Sequence, residues 1–316
     1  MRMRCGLRTI AALVLMSTLG MGCSDNGTDP EEGPEITDLT GDYLGQQPPG
    51  ATPVRFAPQI LSPDSTWWWI SPPKFSPDGN DMVFTKYIIA DTHQKRLYSM
   101  ERVGDDRWTS PEELPFGSED GVDCHAAFSV DGTKLFFLSH RRGGSFFVVT
   151  KDGGSWSDPV VVSIPGLAGV GNQFSVTRDE SIYFEISNGQ NDDLYVSRLV
   201  DGEYSSPESL GAPINTTDYE DYAPFIDPDE SYLIFASNRP GGFGSNDLYV
   251  SFHEPGGTWS EPQNLGSAIN SNVADTLPCI SPDGNYFFFI TWKEDDEGFT
   301  PYWVDVSAVE ALNPDQ

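Results

Sequence analysis

The chain has 316 residues, 38% of them hydrophobic and 12% aromatic, enough to bury a sizeable core in one large domain or two modest ones. Its 48 acidic residues against 18 Lys and Arg give a formal charge of -30, a balance that repels nucleic acid and anionic lipid surfaces. Gly 31 and Pro 25 are high counts for a helical or α/β enzyme and favour many short strands joined by turns.

Residues 1–22 carry Arg2, Arg4 and Arg8, no acid, and the apolar run IAALVLM, which ends in small residues before Cys23. A run this short is an export signal, being too short to span a bilayer. The stretch LGMGCSDN resembles a lipobox, in which the thiol after a small residue is lipidated and becomes the mature N-terminus. Leu19 stands four residues before Cys23 instead of the usual three, so an ordinary secretory signal is the alternative. Lipidation of Cys23 would attach the protein to a membrane through its N-terminus alone. Residues 23–50 are acidic, rich in Gly and Pro, nearly without apolar pattern, and read as a tether to a domain over 51–313. Cys124 and Cys279 fall in non-adjacent repeats and are either a pair or two buried thiols.

From residue 51 the chain repeats, and the repeat sets the fold. KFSPDGNDMVFTK (Lys74–Lys86) returns as AFSVDGTKLFFLS, FIDPDESYLIFAS and CISPDGNYFFFIT, and its turn aspartate recurs at Asp78, Asp131, Asp179, Asp229 and Asp283, spaced by 53, 48, 50 and 54. An aromatic-rich strand follows each turn, a second strand such as FFVVT or DLYVS comes next, and a third motif follows in RWTSPEEL, SWSDPVVV, EYSSPESL and TWSEPQNL. The prolines of that motif are Pro111, Pro159, Pro207 and Pro262. The last copy lacks one, while GATPVRFAPQIL supplies Pro53 ahead of the first. Units of about four short strands predict an all-β propeller, with the N-terminal strand serving as outer strand of the last blade. Five blades is the expectation; six would need a degenerate blade.

The FSPDG turns with their following strands, together with SNRPGGFGSNDLYVSFHEPGGTWSEPQNLGSAIN (Ser237–Asn270), resemble the TolB-like, WD-repeat-like β-propeller repeats of bacterial envelope proteins. The resemblance covers 51–307 and implies architecture, with binding, scaffolding or accessory roles. TolB also has an N-terminal α/β domain that this sequence does not show, so its partners are not carried over.

In S-P-D-G the proline presets a turn, the carboxylate accepts local N–H groups and the glycine takes positive φ, so the turn aspartates read as corners. The sialidase-type box S-x-D-x-G-x-x-W differs, because here Gly follows Asp directly. Eight residues upstream stand Ile70, Asp123, Gly171, Asp221 and Asp275, with His125, Gln173 and Glu220 close by, at the channel mouth where propellers commonly bind. The other loops of that face bring Lys86, His140, Arg141, Arg142, Asn238, Arg239 and Lys293. Asp123, Asp221 and Asp275 could act as acid, base and modulator in glycoside hydrolysis, or serve as repeat-consensus acids that bond their own blades. The loop HRRGG (140–144) could hold a carboxylate or be a solvated turn. Trp67, Trp68 and Trp69 could stack on sugars, anchor a partner or fill blade interfaces.

No G-x-S-x-G, H-E-x-x-H, P-loop or paired C-x-x-C is present, and no dense carboxylate loop suggests a cation; no cofactor and no metal are expected. The expected function is a lipid-anchored envelope module, at the outer membrane, binding a protein, peptide or glycan without catalysis. Its expected site is the face of Trp67, Trp68, Trp69, Asp123, His125, His140, Arg141, Asp221, Arg239 and Asp275. The alternative is a secreted glycosidase or lyase using Asp123, Asp221 and Asp275.

Overall fold

The computed structural model describes residues 39–62, 67–88, 94–118, 122–141, 145–167, 173–187, 189, 191–292 and 298–312. Cys23 and the export signal lie outside them. All belong to one compact unit, Ile36–Gln316.

The architecture follows from an alternation in which both phases are apolar. Successive side chains of a strand point to opposite faces. In the strand Lys134–Ser139, Phe136 and Leu138 join a cluster with Phe174, Ile182 and Phe184 of the next repeat, while Leu135 and Phe137 join one with Val83 and Leu97 of the previous repeat. The pattern recurs: Leu233 and Phe235 face back toward Tyr183 and Leu194, whereas Ile234 and Ala236 face forward toward Phe287 and Phe289. A further cluster joins Phe288 and Trp303 of the last repeat to Phe75, Met82 and Phe84 of the first. Each sheet is therefore covered on both faces by its neighbours, and a fully buried Phe contributes roughly 1.5–3 kcal/mol.

Within each repeat the strands pair antiparallel in sequence order, as in Asp221–Ile226, Tyr232–Ser237 and Asp247–Glu254. The residues after the motif prolines form short outer strands, Glu112–Glu113, Val160–Val161, Glu208–Ser209 and Gln263–Asn264, each on the long strand of its own repeat. Val54–Arg55, after Pro53, pairs instead with Phe299–Asp305 of the last repeat, with Val54 opposite Trp303. The adjoining Phe56 is fully buried, its ring 5.2 Å from those of Phe288 and Trp303. Repetition of sheets around a common channel makes the chain an all-β propeller.

Composition misplaces one boundary. Residues 39–50, expected to be tether, pack on the domain: Leu44 is buried, the Tyr43 ring lies 4.9 Å from Tyr286, and Trp108 Nε1 donates to Gly41 O at 2.9 Å. Leu39, Tyr43 and Leu44, three apolar side chains in a Gly- and Pro-rich run, leave no periodic signal, yet they suffice to dock it.

The turn aspartates are corners in four copies. Asp131 accepts from the Ser129 hydroxyl at 2.6 Å and from the Thr133 amide at 3.0 Å, and Asp78, Asp179 and Asp283 repeat the arrangement. The fourth copy departs from it. Asp227 accepts from Ser231 there, freeing Asp229 to pair with Arg178 of the preceding repeat at 2.6 Å. Gly79, Gly132 and Gly284 take the positive φ that follows each corner, but Glu180 and Glu230 occupy it at φ 65 and 59. Both reach across to the preceding repeat, Glu180 to Lys134 and Glu230 to Arg198 and Tyr183, and these bonds offset the backbone strain.

Hydrogen bonds from Ser129 and Thr133 hold the Asp131 carboxyl down at about 2. Burial opposes ionisation of Asp78, Asp179 and Asp283, but their hydroxyl and amide donors outweigh it and lower each of them too. A carboxyl lowered in the folded state stabilises fully above its unfolded value, near 4, and loses that contribution as pH falls through the folded value. The urea midpoint should therefore fall steadily between about pH 4 and pH 2. Asp131→Ala should cost about 1 kcal/mol at pH 7 and flatten part of that slope, which urea titrations across pH would show.

Candidate functional site

At the upper end of the channel, where loops enter each innermost strand, Asp123, Asp221 and Asp275 open the strands Asp123–Phe128, Asp221–Ile226 and Asp275–Ile280. All three are buried, at 1%, 0% and 0% exposure. Arg141 Nη2 donates to Asp123 at 3.0 Å and to Phe116 O at 2.7 Å, and its Nε donates to Ser139 Oγ at 2.8 Å. Arg239 repeats this with Asp221 at 2.7 Å, Ile214 O at 2.9 Å and Ser237 Oγ at 3.1 Å. The acids also accept from the amides of Ser118 and Thr216 in the incoming loops, at 2.5 and 3.2 Å. Each guanidinium lies over two aromatic rings, Phe137 and Phe147 in one repeat and Phe235 and Tyr249 in the other. Asp and Arg thus form a staple that fastens an incoming loop to the top of its own sheet.

Asp275 keeps the loop half of this arrangement, accepting from the Ser271 amide at 2.6 Å and hydroxyl at 2.9 Å, while its Oδ1 has no hydrogen-bond partner among the described residues. Burial raises the carboxyl pKa values of Asp221 and Asp275 against the pull of their donors. A raised carboxyl suits a general acid, but these three line none of the cavities described below.

The other expected site residues are scattered. The Trp69 ring is 5.4 Å from that of His125, and both are substantially buried. Trp67 and Trp68 lie in the strand Trp67–Ile70, with side chains outside the description. His140 and Asn238 are exposed, and Asn238 exchanges hydrogen bonds with Glu220. The Lys86 ammonium lies 4.7 Å from the centre of the Tyr98 ring. Arg142, Gly171 and Lys293 fall outside the described residues. The structure therefore joins Asp123 with Arg141, Asp221 with Arg239 and Trp69 with His125, and does not gather them into one pocket.

Below the acids the innermost strands slip register, between Cys124 and Ala126, Tyr222 and Phe225, and Thr276 and Cys279. At these bulges His125, Ala223 and Leu277 take left-handed φ of 50, 55 and 56. This turns the His125 amide onto Thr85 Oγ1 and the Ala223 amide onto Glu185 Oε2, both at 3.0 Å and both in the preceding repeat. With Pro72 and Gln173, these residues narrow the channel to a throat of about 30 Å³. The buried His125 imidazole is pushed well below its usual range by burial, and further by Lys95 and Lys74, so it is neutral.

Beneath the throat a cavity of about 330 Å³ opens at the turn-aspartate end. Its walls come in tiers fixed by distance from the turn aspartates. Four residues before them stand Lys74, Ala127, Ser175, Phe225 and Cys279; three before, Phe75, Phe128, Val176, Ile226 and Ile280; one before, Pro77, Val130, Arg178, Pro228 and Pro282. Sequence reasoning missed this end, although Lys74, the one charge in its tier, opens the first copy of the motif. It offered the upper acids as bonding their own blades but missed their arginine partners, whose signal was an acid and an arginine 18 residues apart in two repeats. Cys124 and Cys279 are free and buried, and burial raises both thiols, Cys124 to about 12, which leaves them unreactive. Among the described residues no cluster of His, Cys, Asp or Glu could hold a metal.

No family model and no curated protein matches the chain. It is similar in structure to the α-L-arabinofuranosidase PaAbf62A from Podospora anserina, with a TM-score of 0.51 at 13% identity, over 77% of this chain and 93% of that one. It is also similar to TolB from Acinetobacter baumannii, at a TM-score of 0.48 and 14% identity over 75% of this chain; it spans about half, 54%, of that protein's length. XC5397 from Xanthomonas campestris, a gluconolactonase, matches at a TM-score of 0.45 and 13% identity, over 84% and 86%. At these identities the likeness is one of fold.

Arg239→Ala leaves Asp221 buried without its counter-charge and should cost about 3–5 kcal/mol in urea unfolding. The double variant Asp221→Leu with Arg239→Met should recover most of that loss. An Arg239→Ala protein as stable as wild type would remove the staple from the account of the fold.

Proposed function

We propose that the chain is an exported, lipid-anchored β-propeller of the bacterial cell envelope that binds a protein, peptide or glycan without catalysing its conversion. One observation carries this reading: Asp123 and Asp221 are paired with arginines of their own repeats, Asp275 accepts from Ser271, and the open cavity lies at the other end. There Asp227 closes its turn and Asp229 is clamped to Arg178, so among the described residues that line the cavity no free acid and base face each other. Binding is accordingly assigned to the lower cavity, with the upper staples as supports.

The ring has five blades in this reading. Support comes from the five apolar clusters between consecutive repeats and from the five equivalent residues around the throat. Val54–Arg55 closes it as outer strand of the last blade. The anchor is Cys23, supported by the export pattern that precedes it, and it places the domain at the outer membrane, on the periplasmic side or the surface. Among the described residues no helix is long and apolar enough to cross a membrane. The acidic surface excludes nucleic acid as partner.

Purified protein incubated with a panel of oligosaccharides should release no product by chromatography. Product formed by wild type and lost in Asp123→Asn or Asp275→Asn would establish the glycosidase alternative instead. Cells fed an alkyne analogue of palmitate should label the wild-type chain and not Cys23→Ser, and equal labelling of both would rule out the anchor.

A further inference from the structure

We propose that the lower cavity binds an organic monocarboxylate with a slim apolar body, its carboxylate held inside the channel by Lys74. This rests on the binding-module reading and names its ligand class. Lys74 lines both the cavity and the throat. Acids outnumber Lys and Arg 48 to 18 in this chain, yet among the described residues no carboxylate pairs with Lys74. The Cys279 thiol, in the same tier of the wall, donates to Pro73 O at 3.7 Å, and His125, which lines the throat with Lys74, is neutral. Lys74 is half-buried in the cavity wall, and an anion entering from below would supply its ammonium with a counter-ion.

The throat adds a second, independent sign. Gln173 Oε1 is buried there without a hydrogen-bond partner among the described residues, beside a space that holds about one water. Rotation of the amide turns its Nε2–H to the same point, so a carboxylate beside Lys74 would find a further donor directly or through that water. The throat is too narrow for a ligand to pass, which sets the orientation: carboxylate inward, body toward the lower mouth.

The body must be apolar, because Phe75, Phe128, Val176, Ile226 and Ile280 wall the cavity below Lys74. At about 330 Å³ the cavity is at the lower end of the range for small-ligand sites, roughly 300–1,000 Å³. The other cation in the lining, Arg178, is held by Asp229 at 2.6 and 2.9 Å, and Asp227 accepts from Ser231 within its own turn, so Lys74 is the lining cation without an ion pair among the described residues and the ligand is a monoanion. Two sources carry this chemistry, a free aliphatic acid and the C-terminus of a hydrophobic peptide.

Calorimetric titration of the mature chain tests it, with octanoate and a leucine-rich tripeptide as carboxylates, and octanol and the amidated tripeptide as neutral counterparts. At least one carboxylate should bind, and the tighter of the two identifies the source. Its affinity should fall about 10- to 100-fold in Lys74→Met and in Lys74→Gln and be retained within a few-fold in Lys74→Arg. The neutral counterparts should bind wild type as weakly as the carboxylates bind Lys74→Met. Without ligand, the thermal midpoint of Lys74→Met should stay close to that of wild type, since Lys74 is half-buried and has no carboxylate partner among the described residues, so the lost affinity reports binding and not folding. Failure of both carboxylates to bind, or equal binding by wild type and Lys74→Met, overturns the ligand class. Oligosaccharide turnover is the separate result that would overturn the binding-module reading.

Discussion

A strand with two apolar faces needs cover on both sides, and this requirement organises the molecule. In Lys134–Ser139 the residues Leu135 and Phe137 cannot be satisfied by the sheet that satisfies Phe136 and Leu138. A stack of such sheets would end in two exposed apolar faces, whereas a circuit has none. The cluster that unites Phe288 and Trp303 with Phe75 and Phe84 is where the first and last repeats cover each other. Residues 39–56 thicken that seam with Tyr43, Leu44 and Phe56, so the place where the repetition is interrupted is also packed with aromatic side chains.

Polar chemistry at the two ends of the channel follows from the same packing. Face-to-face sheets bury the starts of the innermost strands, and a loop entering there brings amides and carbonyls that need partners. Asp123 with Arg141 and Asp221 with Arg239 meet that need, and the upper charges are thereby committed to shape. At the lower end the turns satisfy themselves: Ser76, Ser129, Thr177 and Ser281 bond their own aspartates, so the space between the turns stays open and mostly apolar.

The fold was legible because repetition averages over local exceptions. Five copies of one turn located the strands even though the fourth copy exchanges the roles of Asp227 and Asp229. The short outer strands were legible through their prolines. The position of the open cavity was not, because whether Asp123 points at solvent or into a sheet depends on an arginine from another loop, and spacing from the turn gives only its height along the channel. Lys74 was hidden for a related reason: its oddity is visible only against Ala127, Ser175, Phe225 and Cys279, which become comparable once all five face one space. Residues 39–50 were hidden because docking by three isolated side chains leaves no period to read.

The pairing of Val54 with Trp303 joins residues that lie nearly the whole described chain apart. Contacts this distant in sequence carry a high loop-closure cost and form slowly. The interior repeats can build on their nearest neighbours as they emerge, but the seam is completed only when Phe299–Asp305 is available. Until then Phe56 and Phe288 lack each other, and the aromatic side chains of that cluster are without cover. The same strand that ends assembly is thus the natural starting point for unfolding, and the interval before it docks is the stage at which the chain is most exposed to aggregation.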